Sequence, residues 1–164
     1  GAVLFEPSTN EFGWEDEYFR SNGSERMALR ILSGGSLHPT TQETFDQGWH
    51  NIHQEGKVVF KYAVSEMANV AEKIMKRNDL DDGKIDYLIP HQANKRIIDA
   101  TANCLDLSED KVLMNIDRYG NTTAATLPLL LYDYESKFKK GDKLVFAAFG
   151  GGFTWGAAHL TWAY

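Results

Sequence analysis

Residues able to do chemistry collect at three places in the chain, each where a strand-like run gives way to a turn. His91 follows the apolar run Ile85–Ile89, Gly120–Asn121 follow a second run, and Gly150–Gly152 follow a third. An imidazole can donate, accept or carry a proton, an amide can donate without titrating, and glycine lets backbone N–H groups approach a ligand closely. Ligands bind at the carboxyl ends of strands in open α/β sheets, so these three groups can converge on one pocket.

Each of these residues also has an ordinary structural explanation. A histidine after a buried strand is often a satisfied structural residue, and asparagine after glycine is a common turn or helix-cap residue. The run Phe149–Gly152 fits a tight turn as well as it fits a close approach to a substrate. The other histidines show no metal-ligand spacing with cysteines or carboxylates, so no metal site is predicted.

The composition is that of a single globular domain. The chain has 164 residues, of which 43% are hydrophobic and 24% charged, and its net charge of −6 comes without a long basic run, so nucleic-acid binding is not expected. No signal peptide and no stretch of about 20 apolar residues is present, so no membrane span is expected. The single cysteine, Cys104, rules out an internal disulfide framework and suits a reducing cytoplasm.

Regular periodicity dominates the chain from Gly56 onward and predicts the elements that would position the three groups. Helices are predicted over Lys57–Asn78, Asn94–Leu105 and about Thr122–Lys139, and strands over Ile85–Ile89, Lys111–Ile116, Lys143–Phe149 and Phe153–Tyr164. Pro128 requires a kink or a late start in the third helix. The alternation predicts an α/β fold with helices packed on a mainly parallel or mixed sheet.

Residues 1–56 have a less regular pattern. Ala2–Glu6 and Met27–Ser33 are predicted to be short strands, whereas Ser8–Glu25 and Gly34–Gln42 are predicted to be loops. Cys104, late in the second predicted helix, is expected to be a buried or half-buried small residue and not a nucleophile.

Three strings carry a resemblance to a known family. They are PHQANKRI (Pro90–Ile97), RYGNTTAATLPLLL (Arg118–Leu131) and FAAFGGGFTWGAA (Phe146–Ala158). In this order they resemble the C-terminal half of β-ketoacyl-acyl-carrier-protein synthase III, a condensing enzyme of the thiolase-like fold. The opening GAVLFE resembles a strand late in that family's N-terminal half. The resemblance implies that residues 1–56 hold the tail of the N-terminal half plus a connecting region, and that 57–164 form the C-terminal thiolase-like domain.

The resemblance also implies an activity. Such enzymes start fatty-acid chains by a decarboxylative Claisen condensation of an acyl-CoA primer with malonyl carrier protein, without a cofactor, as cytoplasmic homodimers. Their nucleophilic cysteine lies in the N-terminal half, and no motif of this sequence matches it. The chain alone is therefore expected to be inactive without that half.

Residue roles follow from the resemblance in the same way. His91 and Asn121 would hold an oxyanion as catalytic donors, and Gly151 would supply a backbone N–H to a second oxyanion hole. The predicted contacts to carrier protein or CoA are Gly56, Phe60, Gln92, Ala93, Asn94, Lys95 and Arg96. Two alternatives stay open, an inert structural half-domain and part of a related acyl-CoA condensing enzyme of secondary metabolism.

Overall fold

The computed structural model describes residues 1–7, 12–80 and 83–164. The strands in chain order are β1 (Gly13–Ser21), β2 (Leu29–Ile31), β3 (Ile52–Gln54), β4 (Tyr87–Pro90), β5 (Lys143–Gly150) and β6 (Thr154–Thr161). The α-helices are α1 (Gln42–Asp46), α2 (Gly56–Arg77), α3 (Lys95–Cys104), α4 (Ile116–Tyr119) and α5 (Thr126–Tyr134). No helix among the described residues has both the length and the apolar character needed to cross a membrane.

A four-stranded sheet in the order β1–β6–β5–β4 forms the centre of the fold. β4 and β5 are parallel, whereas β5–β6 and β1–β6 are antiparallel. The predicted α/β class with helices packed on a mixed sheet is confirmed. Fewer pairings are parallel than the alternation suggested, because a tight turn joins β5 directly to β6 and β1 returns to pair with β6.

Helix α2 covers one face of this sheet. Its buried residues recur at helical spacing, and Ala71 and Ile74 are completely buried. They pack in one cluster with Val145 and Ala147 of β5 and with Ala157 of β6. This confirms the long helix predicted for Lys57–Asn78 and fixes its first residue, Gly56, near the carboxyl end of β5.

Helix α5 lies against the opposite face of the sheet. Leu130 is fully buried there and packs in one cluster with Ile89, Phe146 and Ala158. The helix begins at Thr126, so Pro128 occupies its first turn, where a backbone N–H has no acceptor within the helix. The late start is therefore the correct explanation of this proline.

Two predictions for the N-terminal region are wrong. Ala2–Glu6 is not a strand, because a strand needs a hydrogen-bonded neighbour and no described residue pairs with this segment. Conversely, β1 lies inside the predicted loop Ser8–Glu25, of which Ser8–Glu11 lie outside the described residues. The acidic β1 is a strand because it pairs antiparallel with β6 from Gly13 to Ser21, and its Asp16 also lies 2.6 Å from the guanidinium of Arg77.

The predicted strand Lys111–Ile116 is also wrong. Val112 makes one isolated parallel bridge to Leu88, and α4 already begins at Ile116. The chain leaves the sheet here because the backbone N–H groups of Asn115 and Ile116 donate to a side chain, that of Gln92, instead of to a neighbouring strand.

Candidate active site

An open cavity of about 1160 Å³ lies at the carboxyl ends of β4 and β5. His91, Asn121 and Gly151, which come from three separate parts of the sequence, all line it. The structure thus brings together the three groups that the sequence placed at the ends of strands.

His91 projects from the end of β4. Its backbone N–H donates to the carbonyl of Ala147 at 2.8 Å, which extends the parallel pairing with β5 by one residue. The side chain is half-buried, and this burial lowers the pKa of His91 below its ordinary value of 6.5. The imidazole is therefore neutral at neutral pH, and within the described residues it makes no side-chain hydrogen bond that would occupy it.

Asn121 is aimed by the turn that follows α4. Gly120 has φ 66° and ψ −157°, a conformation that is essentially restricted to glycine. The Oδ1 atom of Asn121 accepts a hydrogen bond of 3.0 Å from the N–H of Thr123. This bond uses the acceptor end of the side chain, so the Nδ2 hydrogens remain available as donors.

The glycines after β5 have different roles. Gly152 has φ 139°, and a Cβ there would lie 2.6 Å from Oγ1 of Thr154, so the turn itself requires glycine at this position. A Cβ on Gly151 would make only ordinary contacts, 3.5 Å from the carbonyl oxygen of Leu29 at the nearest. The exposed N–H of Gly151 has no hydrogen-bond partner among the described residues, so it can donate into the cavity.

The beginnings of two helices form part of the cavity wall. Ala93, Asn94 and Arg96 around the start of α3, with Gly56 and Phe60 in α2, all line it. The side-chain oxygen of Asn94 accepts from the N–H of Arg96 at 2.8 Å and so caps α3. The guanidinium of Arg96 lies 5.4 Å from the ring centroid of Phe60, a cation–π contact that joins the two helices at the cavity mouth.

Gln92 and Lys95 do not line the cavity, unlike the other predicted contact residues. Gln92 is only 1% exposed, so it cannot meet a carrier protein or CoA where it lies. Lys95 is exposed, but its ammonium lies 2.8 Å from both carboxylate oxygens of Asp99, one helical turn away.

Phe19, Ile52, Lys57 and Trp155 are among the residues of the cavity wall that sequence reasoning missed. Trp155 stands in the FTWG string that carried the resemblance, and this was an available signal. Phe19 and Ile52 carry no signal in the sequence, because they come from the region without clear periodicity. In the structure they are 65% and 72% exposed, so no buried pattern marks them.

Cys104 is exposed, so the expectation that it is buried or half-buried is wrong. It is the last residue of α3, which has 10 residues and is therefore about 15 Å long. The cavity lies at the other end of that helix. Within the described ranges, no group of three or more His, Cys, Asp or Glu side chains could hold a metal ion.

Comparison with known proteins identifies the family. A family model described as the C-terminal part of 3-oxoacyl-[acyl-carrier-protein] synthase III matches residues 75–162, more than half of the chain. The chain belongs to this synthase III family. A protein named beta-ketoacyl-[acyl-carrier-protein] synthase III from Azobacteroides pseudotrichonymphae is 48% identical over 164 residues, 100% of this chain and 49% of that protein. A protein with the same name from Chlorobaculum tepidum is 50% identical over 99% of this chain and 50% of its own length.

Solved structures agree with this membership. The crystal structure of 3-oxoacyl-[acyl-carrier-protein] synthase III from Aquifex aeolicus matches with a TM-score of 0.80 at 32% identity, over 95% of this chain and 46% of that one. The enzyme of the same name from Pseudomonas aeruginosa matches with a TM-score of 0.84 at 29% identity, over 97% of this chain and 49% of that one. The chain thus spans about half the length of the synthase III relatives that it matches.

Proposed function

We propose that this chain supplies the C-terminal half of a β-ketoacyl-acyl-carrier-protein synthase III that joins an acyl-CoA primer to malonyl carrier protein in fatty-acid initiation. The observation that carries the proposal is the meeting of His91, Asn121 and Gly151 on one cavity. Each of them has a hydrogen-bond donor that no described residue uses.

The reaction requires an acyl group held as a thioester on a cysteine, which the N-terminal half of the synthase would supply. The bond between the malonyl α-carbon and its carboxylate breaks, CO₂ leaves, and the electron pair forms an enolate of the malonyl thioester. The enolate carbon attacks the acyl carbonyl and the cysteine thiolate departs. The products are CO₂ and a β-ketoacyl carrier protein, and no cofactor is consumed.

His91 and Asn121 hold the enolate oxygen. Negative charge develops on that oxygen as CO₂ leaves, and preorganised N–H donors stabilise such charge by about 3–4 kcal/mol each. The lowered pKa of His91 favours the neutral ring, which donates one N–H without carrying a charge of its own. Neither side chain acts as a base, because the step removes CO₂ and no proton.

Gly151 serves the other carbonyl. Its backbone N–H lies in the turn between β5 and β6 and is directed to the acyl-cysteine oxygen, together with the N–H of that cysteine. Attack by the enolate places negative charge on this oxygen, so the same physical argument applies.

The cavity mouth receives the carrier protein or CoA. Arg96 and Lys57 place two positive charges there, which suits an acidic carrier surface or a CoA phosphate. Gly56, Phe60, Ala93 and Asn94 then line the path of the pantetheine arm. Gln92 is left out of these contacts because it is buried, whereas exposed Lys95 remains a contact of the carrier protein outside the cavity.

Four further features belong to the same proposal. The complete synthase is a homodimer, and the single cysteine remains the basis for expecting a cytoplasmic location. Residues 57–164 form the C-terminal thiolase-like domain. Residues 1–56 hold the end of the N-terminal half and the connection, although β1 from this region pairs with β6.

The test is reconstitution. The 164-residue chain is mixed with a separately made N-terminal half, and acyl-CoA and malonyl carrier protein are added. CO₂ and β-ketoacyl carrier protein are expected from the mixture, with neither from the chain alone. Product from the chain alone would contradict the proposal that the N-terminal half supplies the nucleophilic cysteine. Equal turnover of malonyl-CoA and malonyl carrier protein would favour a condensing enzyme that needs no carrier.

A further inference from the structure

Gln92, directly after His91, has a fully occupied side chain. Its Oε1 accepts hydrogen bonds from the backbone N–H groups of Asn115, at 3.0 Å, and Ile116, at 3.1 Å. Its Nε2 donates to the carbonyl of Pro90 at 2.9 Å, back into the strand that carries His91. One buried amide thus joins the end of β4 to a segment more than twenty residues further along the chain.

That segment leads directly to the second catalytic donor. Asn115 and Ile116 begin α4, whose first N–H groups have no acceptor within the helix. Asn115 does not cap this helix with its own side chain, so Gln92 satisfies these donors from outside. α4 ends at Tyr119, immediately before Gly120 and Asn121, and therefore transmits its position to the Asn121 side chain.

Asp133 of α5 holds the same segment from the other side. Its carboxylate accepts from Nδ2 of Asn115 at 2.8 Å and from the hydroxyl of Tyr119 at 3.2 Å. The guanidinium of Arg118 lies 3.0 Å from the same carboxylate, whose side chain is only 6% exposed. The residue before α4 and the last residue of α4 are thus both bonded to Asp133, which lies next to the last residue of α5.

The exit from the Asn121 turn is also tied to Gln92. The backbone N–H of Gln92 donates to Oγ1 of Thr126 at 2.7 Å, and Thr126 is the buried first residue of α5. The turn that presents Asn121 therefore starts from α4 and ends at α5, and both are bonded to the residue next to His91.

We propose that Gln92 is a positioning residue that sets the distance between His91 and Asn121, with Asp133 supporting the opposite side of α4. The inference rests on the proposed function, since it assumes that both donors must meet one oxygen. A displacement of about 1 Å at a reacting centre can cost about 100-fold in rate. A rigid link between two donors from distant parts of the chain is the device that prevents such a displacement.

The first arm of the test is kinetic and uses the complete synthase. Gln92→Leu should lower kcat for malonyl decarboxylation by about 10- to 100-fold while KM changes less than about threefold, because the donors are misplaced and the binding wall is intact. Gln92→Glu keeps the acceptor oxygen and, when protonated, one donor, so it should retain a rate between those of Gln92→Leu and the parent. Asp133→Ala should show the same kcat-specific loss, and Asp133→Asn should restore part of it.

Ile74→Val is the matched control for a general loss of stability. It removes one methyl group from the fully buried core on the α2 side, away from α4. Its kcat for decarboxylation should stay within about twofold of the parent.

The second arm does not depend on catalysis. Hydrogen exchange of the Thr123 N–H, which donates to Asn121, should accelerate at least about tenfold in Gln92→Leu and remain near the parent rate in Ile74→Val. Unchanged Thr123 exchange together with an unchanged kcat would overturn the proposal and leave Gln92 a structural residue only. If the parent synthase releases no CO₂ from malonyl thioesters, the proposed function fails, and the exchange result alone decides whether Gln92 positions Asn121.

Discussion

Two histidines of the same sheet show what separates a site from a buried polar residue. Burial lowers the pKa of both His91 and His159, so both rings are neutral at neutral pH. His91 stands at the end of β4 and opens on the cavity that Asn121 also lines. His159 lies within β6, is 4% exposed, and neither ring nitrogen has a partner among the described residues. Access to the cavity and a second donor on its wall, and not the lowered pKa, are what single out His91 as the proposed functional histidine.

The surroundings of His159 explain its state without a function. It lies opposite Val145 in β5 and opposite Asp16 in β1. Desolvation is the main cause of its lowered pKa; Lys143 lowers it further, whereas Glu15 and Asp16 raise it. This ring fills space in the sheet, so it should affect stability and not turnover.

The largest expected effect comes from removing a donor at the cavity. In the complete synthase, His91→Ala or Asn121→Ala should slow malonyl decarboxylation by about 100- to 1,000-fold, the usual cost of losing one oxyanion donor. Acylation of the cysteine by acyl-CoA should survive, because it does not use this oxyanion hole. Release of CO₂ and acylation are measured separately. If both variants decarboxylate at the parent rate, His91 is no more functional than His159 and the comparison is wrong.

A second substitution tests the backbone donor. Gly151→Pro deletes the N–H and should slow condensation by about 100-fold, whereas Gly151→Ala keeps it and should stay within about threefold. Alanine is tolerated because its Cβ would make only ordinary contacts with Leu29. Equal losses in the two variants would show that space, and not the N–H, matters at this position.

The pH dependence of stability tests the structural role of His159. The folded-state pKa of His159 lies below its ordinary value of 6.5, so the unfolded chain takes up the proton first as the pH falls. The free energy of unfolding should therefore be highest above about pH 6.5, where His159 is neutral in both states, and should decrease as the pH falls below that value. His159→Leu should flatten this decrease in urea unfolding at pH 8, 6.5 and 5.5, and turnover should remain within a few-fold.

His91 contributes to the slope with the same sign, so the parent and His159→Leu are compared in the presence of an unchanged His91. An identical pH slope in both proteins would mean that His159 is not held neutral by the fold.

The smallest expected effect concerns Cys104. Because its side chain is exposed at the end of α3, it should react with iodoacetamide in the folded chain within a few-fold of its rate in the urea-unfolded chain. Cys104→Ser should keep turnover within about twofold in the complete synthase. Loss of acyl transfer in this variant would instead show that the chain carries its own nucleophile.

The sequence predicted the parts of the molecule whose determinants are local. Helical spacing of apolar residues identified α2 and α3, and β-branched and aromatic content identified β5 and β6. His91 and Asn121 were found because each follows a structural transition and because their flanking strings resemble one family. Both residues line one cavity, which confirms the prediction that the groups following the strand-like runs converge on one pocket.

Long-range partners explain what the sequence did not predict. The acid-rich β1 looks like a loop in the sequence, and only its pairing with β6, from the other end of the chain, makes it a strand. Gln92 looks like a surface residue at the start of a helix, and only its bonds to Asn115 and Ile116 explain its burial. Such contacts between distant parts of the chain leave no local periodicity.

The central claim, that His91 and Asn121 hold one thioester oxygen, is tested most directly by vibrational spectroscopy of a bound substrate analogue. A malonyl thioester analogue that cannot lose CO₂, labelled with ¹³C at its thioester carbonyl, is bound to the complete synthase and the carbonyl stretch is measured. Two N–H donors should polarise the carbonyl and lower its frequency from the value in water, and either His91→Ala or Asn121→Ala should reverse much of that shift, with Lys57→Ala leaving it in place. A frequency that is the same in the parent and both donor variants would contradict the claim.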